Sequence, residues 1–146
     1  MSLYYRIEDA EAALPEIEDG LRRGIALKAE MQSAEKEFAR IKQRIHMLGG
    51  SMINRDEMMA LAERRDNAGI ELKATLERIE AFGCLVKDLD IGLLDFPTLF
   101  RGEEVYLCWR LGEPAILFWH GVTEGFQGRK VIDEEFRANH RGSTSA

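Results

Sequence analysis

Six polar residues toward the C-terminal end have types and spacing that could do chemistry: Asp88, Asp90, Asp95, Arg110, Glu113 and His120. Three of them crowd one stretch, Lys87-Asp88-Leu89-Asp90-Ile91-Gly92-Leu93-Leu94-Asp95-Phe96-Pro97. Carboxylates held close together either bind a hard divalent cation or share a proton, which suits one of them to acid–base work. Their spacing does not follow the EF-hand pattern, which alternates acids or amides before a glycine and ends on a distal glutamate. Asp side chains also accept backbone N–H bonds in turns and helix caps, and that loop-fixing role is the preferred reading of all three. His120 closes an apolar run, after Trp119 and before Gly121. An imidazole at a strand end beside a loop can act as a general base or a ligand, because its ordinary pKa lies near neutrality. The plainer alternative is a histidine hydrogen-bonded at a sheet rim. His46, on a charged helix, and His140, in the tail, suggest no site.

Missing motifs narrow the chemistry further. There is no GxSxG elbow, no GxGxxG and no GKS or GKT loop, the signatures of serine hydrolases and of phosphate-cradling turns. Cys84 and Cys108 each lie in an apolar run without CxxC spacing. They are expected to be two free buried thiols, with a nucleophilic Cys108 as the alternative, and neither a metal nor a cofactor is expected. Arg101, Arg110, Arg129 and Lys130 could hold an anion, but acids outnumber bases here and surface ion pairs are expected instead.

Composition sets the frame around these residues. The chain has 146 residues, 45% hydrophobic and 32% charged with three prolines, which suits one domain and excludes collagen-like or wholly disordered classes. With 26 acidic against 20 basic residues the formal net charge is -6. That is a poor match to a phosphate backbone, so no nucleic-acid partner is expected. The N-terminal Met1-Ser2-Leu3-Tyr4-Tyr5-Arg6 lacks an apolar core for a secretory signal, and every apolar run is strand-sized. A cytoplasmic protein with no membrane partner is expected.

Periodicity then supplies the elements that must position the polar residues. Glu8 and Asp9 announce a first helix, since acidic side chains favour a helix N-terminus. Pro15 either kinks it or restarts it. Ile17, Leu21, Ile25, Met31, Phe38, Ile41, Ile45 and Leu48 continue at helical spacing to Gly49-Gly50. From Pro15 to Met47 such a helix is roughly 50 Å long at 1.5 Å per residue. Ser51 or Asn54 can cap a second helix carrying Met58, Leu61, Ala68, Leu72, Leu76, Ile79 and Phe82, with Gly83 as its left-handed terminus. Gly20 and Gly24 match GxxxG only as a close helix approach, because Arg22-Arg23 interrupts them.

Beyond Gly83 the period changes to that of strands. Cys84 to Lys87, Glu104 to Arg110 and Ala115 to His120 read as strands, and Asp88 to Gly102 as a loop. A two-residue turn at Gly112-Glu113 pairs Trp109 with Ile116, Leu107 with Phe118 and Val105 with His120. Tyr106, Cys108, Leu117 and Trp119 then share the opposite face, and both faces are apolar. The expected fold class is α+β: a long antiparallel helical hairpin over 7–83, a small antiparallel β-sheet unit over 84–132, and a flexible tail over 137–146.

Three phrases carry a family resemblance: Ile7-Glu8-Asp9-Ala10-Glu11-Ala12-Ala13-Leu14-Pro15, the stretch Val86 to Pro97, and Val105-Tyr106-Leu107-Cys108-Trp109-Arg110-Leu111-Gly112-Glu113-Pro114 with Trp119-His120. Together they resemble the bacterial family catalogued as domain of unknown function 2203, over residues 7 to about 132. The sequence departs from that pattern at Leu94 and at Ala10-Glu11-Ala12. The resemblance implies the architecture and directs attention to the β-rich part without naming a reaction.

Two functions from different classes are compatible with these residues. The preferred one is a self-associating interaction or scaffold module, a homodimer or higher oligomer, because a thin two-stripe, coiled-coil-like hairpin needs a second surface to cover it. The alternative is a small metal- or ligand-binding protein or enzyme that uses Asp88, Asp90, Asp95, Arg110, Glu113 and His120. The two part on whether at least three of those side chains converge on one concave pocket.

Overall fold

The computed structural model describes residues 3–48 and 55–143. They form two units, one made of the chain up to Arg22 together with the chain from Leu76 onward, the other of Arg23–Thr75. Helix α1 spans Ile7–Met47 and helix α2 spans Arg55–Glu80. Both begin with acidic side chains and end with basic ones, as the helix dipole favours. Pro15 neither stops nor restarts α1, which runs through it. An interior proline costs about 3 kcal/mol, and the full burial of Ile7, Ala10, Ile17 and Leu21 on either side offsets it. The expected caps Ser51 and Asn54 and the Gly49-Gly50 loop lie outside the described residues. Gly83 follows α2 with a φ of 100°, the left-handed position expected of it.

Within Arg23–Thr75 the two helices share a thin apolar seam. Leu27, Ala34 and Ile41 of α1 and Leu61 and Ala68 of α2 are buried. An Arg23–Glu71 ion pair at 2.7 Å and the Arg65 guanidinium over the Phe38 ring mark an antiparallel pairing. Four large apolar side chains stay outside that seam: Met47, Leu48, Met59 and Ile70.

In the other unit the ends of both helices cover an antiparallel sheet. Gly20 permits the approach, since a β-carbon there would lie 2.9 Å from the Ile79 side chain. The strands are β1 (Leu85–Asp88), β2 (Leu93–Phe100), β3 (Glu103–Arg110), β4 (Phe118–Gly121), β5 (Lys130–Val131) and β6 (His140–Arg141). They lie in the order β1-β2-β3-β4-β5, with β6 beside β2. Leu94, Phe96, Val105, Leu107 and Trp109 turn one sheet face onto Ile7, Ala10, Ile17, Leu21 and Ile79. The architecture is α+β, a helical pair followed by a small antiparallel sheet. Among the described residues, no helix is long and apolar enough to cross a membrane.

Three local expectations need correction. The stretch expected as a loop from Asp88 to Gly102 contains the central strand β2, Pro97 included. The Pro97 carbonyl accepts a bond from the Tyr5 amide at 2.7 Å, so its backbone polar edge faces the N-terminal segment and the β2–β3 ladder loses no donor. Arg101 and Gly102, with φ of 52° and 81°, then form the tight β2–β3 turn. The second correction concerns the expected Gly112-Glu113 turn. The Glu113 amide bonds back to the Arg110 carbonyl, so the turn centres on Leu111-Gly112, with Gly112 at a φ of 103° as its third residue. A longer connection follows, and the observed register is Leu107 opposite Trp119, Tyr106 opposite His120 and Cys108 opposite Phe118. The third correction is the expected tail: helix α3 (Glu134–Asn139), β6 and Ser143 are tied in, Ser143 bonding to Tyr4 through both its amide and its hydroxyl. Residues 144–146 lie outside the described residues.

Candidate functional site

The observed register decides which polar side chains meet. Side chains alternate across a strand, so a one-residue slip moves a whole set to the other face. Asp95 stands opposite Cys108, and Tyr106 stands opposite His120. These four therefore share the sheet face turned away from the helices, where the expected register had separated His120 from Tyr106 and Cys108.

Asp95, Cys108 and His120 are 1%, 0% and 3% exposed. His120 reaches across β3, placing Nε2 2.9 Å from Asp95 Oδ1, while its Nδ1 lies 2.8 Å from the Gly121 carbonyl. A carbonyl oxygen only accepts, so Nδ1 carries a hydrogen. The Nε2–Asp95 contact then needs a second proton, held as imidazolium against carboxylate or as neutral imidazole against carboxylic acid. A buried ionisable pair is costly unless well satisfied, and the bond to the Gly121 carbonyl fixes the His120 ring in place.

For Cys108, burial, reinforced by the Asp95 charge, pushes the pKa up to about 12. Cys84 bonds to the Ile79 carbonyl and is pushed up to about 12 by burial as well. Both are thiols at neutral pH, as expected of buried cysteines, and the nucleophilic alternative for Cys108 loses its thiolate.

A cavity of about 170 Å³ opens beside the pair, lined by Lys87, Asp95, Tyr106, His120, Glu124 and Phe126 among others. Glu124 is folded into its wall. Its carboxylate accepts from the Gly121 amide at 2.8 Å and from Lys130 Nζ, and the Lys130 bond above all holds its pKa below the ordinary range. Gly121 and Gly128 make room for this, because a β-carbon on either would sit 2.9 Å from a Glu124 atom. The Tyr106 hydroxyl donates to Glu104 at 3.3 Å. Burial, followed by the Glu104 charge, raises its pKa.

Of the six residues singled out by type and spacing, the structure brings only Asp95 and His120 to the cavity, short of the three that the ligand-binding alternative called for, and the rest of its polar lining comes from residues outside that set. Asp88 fixes its turn by accepting the Asp90 amide at 3.0 Å, and both are exposed. Glu113 accepts from the Arg110 amide and from Arg129, whose guanidinium lies over the Phe118 and Phe126 rings. It is a structural pair. Arg110 is exposed and does not line the cavity. Lys87, Tyr106, Cys108 and Glu124 join the site instead. The signal that points to Tyr106 and Cys108 is alternation along β3, usable only once the β3–β4 register is known.

Comparison with known proteins places the chain in a family. Residues 3–132 match the model of the family described as an uncharacterized conserved protein, DUF2203. The chain belongs to the DUF2203 family. No curated protein and no solved structure matches it. In this DUF2203 member the matched span contains Lys87, Asp95, Tyr106, Cys108, His120 and Glu124, and ends before α3 and β6.

Proposed function

We propose that this DUF2203 protein binds a small polar ligand in its β-rich unit, over the buried Asp95–His120 pair. One observation carries the reading: a buried acid–imidazole pair, with His120 Nε2 2.9 Å from Asp95 Oδ1, forms part of the wall of an open cavity. Ionisable groups are buried at a cost, and such groups beside a cleft concentrate at functional sites. The cavity offers a cation at Lys87, an anion at Glu124 and an aromatic wall at Phe126 and Tyr106, so it suits a ligand of a few heavy atoms with polar ends. Binding rather than turnover is favoured because Cys108 is a thiol and because only two of the six polar residues first considered converge on the cavity.

The test is a backbone and side-chain NMR titration with inorganic phosphate, acetate, succinate and Zn²⁺ in turn. The reading expects shifts concentrated at Lys87, Tyr106, His120 and Glu124, and their loss in Asp95→Asn. Unmoved resonances there with every probe sink it. Self-association is a second reading, favoured by the exposed Met47, Leu48, Met59 and Ile70. It expects concentration-dependent shifts confined to Arg23–Thr75.

A further inference from the structure

We infer that Asp95, Cys108 and His120 form a site for one divalent metal ion of the zinc class. This rests on the ligand-binding reading and names the ligand that occupies the site first. One donor atom from each residue lies within 4.8 Å of the other two, and all three residues are buried. The ligand atoms of a tetrahedral zinc stand about 3–4 Å apart at bond lengths of about 2.0–2.3 Å. A side-chain shift of about 1 Å therefore closes the set.

The backbone prepares the histidine. Because Nδ1 donates to the Gly121 carbonyl at 2.8 Å, a neutral ring presents its lone pair at Nε2, toward Asp95 Oδ1 at 2.9 Å. Two lone pairs that close inside a buried site require a cation between them. In the absence of metal a proton fills that place. An N–H to carbonyl bond behind the ligating nitrogen is the arrangement that orients metal-bound imidazoles.

Charge and donor type choose the ion. An Asp95 carboxylate and a Cys108 thiolate carry two negative charges, which a divalent ion neutralises while His120 stays uncharged. A sulfur, nitrogen and oxygen set does not suit Mg²⁺ or Ca²⁺, which take oxygen ligands, and does suit zinc. Asp95 and His120 also line the cavity, which supplies an entry path and leaves a fourth position open to a water or a small anion. Binding releases the Cys108 thiol proton and the proton of the Asp95–His120 pair to solvent, so affinity rises with pH.

The test uses the full chain, stripped with EDTA and titrated near neutral pH with Zn²⁺ by calorimetry and with Co²⁺ by absorption spectroscopy. The expected result is one ion per chain, a thiolate-to-cobalt charge-transfer band, and zinc affinity weaker by roughly tenfold or more in Cys108→Ser, with the band gone. No binding, a cobalt spectrum without the thiolate band, or unchanged zinc affinity in a folded Cys108→Ser variant overturns the site. If that variant fails to fold, the cobalt spectrum of Cys84→Ser decides, because Cys108 is then the one thiol of the chain: the band persisting supports the site and its absence overturns it. A chain that takes no zinc yet shows phosphate- or carboxylate-induced shifts at Tyr106 and His120 overturns the metal and leaves the ligand-binding reading standing. Silence toward every probe, zinc included, overturns both.

Discussion

The buried pair at Asp95 and His120 has an energetic signature separate from any ligand. Removing His120 leaves the Asp95 carboxyl group buried without its hydrogen-bonded partner, a loss of about 3–5 kcal/mol by analogy with other broken buried pairs. Removing both partners should cost less than the sum of the single losses, with a coupling of about 1–3 kcal/mol. Urea unfolding of His120→Ala, Asp95→Ala and the double variant measures this, and additive losses would show that the two residues do not act as a pair. The thiols give a pH dependence of definite sign. Cys84 and Cys108 are raised from an ordinary 9.0 to about 12 in the folded chain. The unfolded chain therefore releases their protons first, and stability is full below pH 9.0 and falls as pH rises toward about 12. Thermal melts should show this alkaline decline, and Cys84→Ala with Cys108→Ala should flatten it. Alkylation by iodoacetamide at neutral pH should be slow until the chain unfolds.

At the scale of elements, the first turn of α1 is completed from the far end of the chain. The Ile7 amide donates to His140 Nε2 at 3.3 Å, and His140 Nδ1 bonds to the Arg137 carbonyl. One imidazole thus links the α1 N-terminus to the end of α3, while Ser143 clasps Tyr4 next to it. The N-terminal N–H groups of a helix have no partner inside it, and losing a side-chain acceptor there costs about 0.5–2 kcal/mol. His140→Ala should lose that much in urea unfolding and should speed hydrogen exchange at the Ile7 amide. Unchanged exchange there would mean that the contact carries no stability. Neither link has a local signal, because the partners stand 133 and 139 residues apart.

For the whole molecule, the open question is what covers the helical unit. Met47 is 77% exposed, Met59 66% and Ile70 70%, in a unit whose own seam is thin and carries Ala34 and Ala68 among its buried residues. Burial of such side chains contributes about 1.5–3 kcal/mol each when complete, which favours contact with a second copy. Sedimentation equilibrium at micromolar concentration is expected to give a dimer or higher mass, shifted toward monomer by Met59→Glu combined with Ile70→Glu. A monomer mass for the unaltered chain removes self-association as a function.

The two helices, the strand character beyond Gly83, the left-handed glycine and the buried thiols were legible in the sequence, because each depends on residues within a turn or two of one another. Ile17, Leu21 and Ile41 stand at helical spacing whatever they touch, and Val105 to Trp109 reads as a strand wherever it pairs. The candidate site was legible only in part. Asp95 and His120 stood out by type, but their meeting depends on the β3–β4 register, and one residue of slip changes every partner on that face. That register follows from where the chain turns at Leu111-Gly112 and from the burial of Leu107 and Phe96 against α1, a balance among contacts distant in sequence. The same physics explains β2: Pro97 spoke locally for a loop, and the backbone edge it presents to Tyr5 made it acceptable in a central strand. Local pattern determined the elements of this protein, and only tertiary packing decided which of its polar side chains share a site.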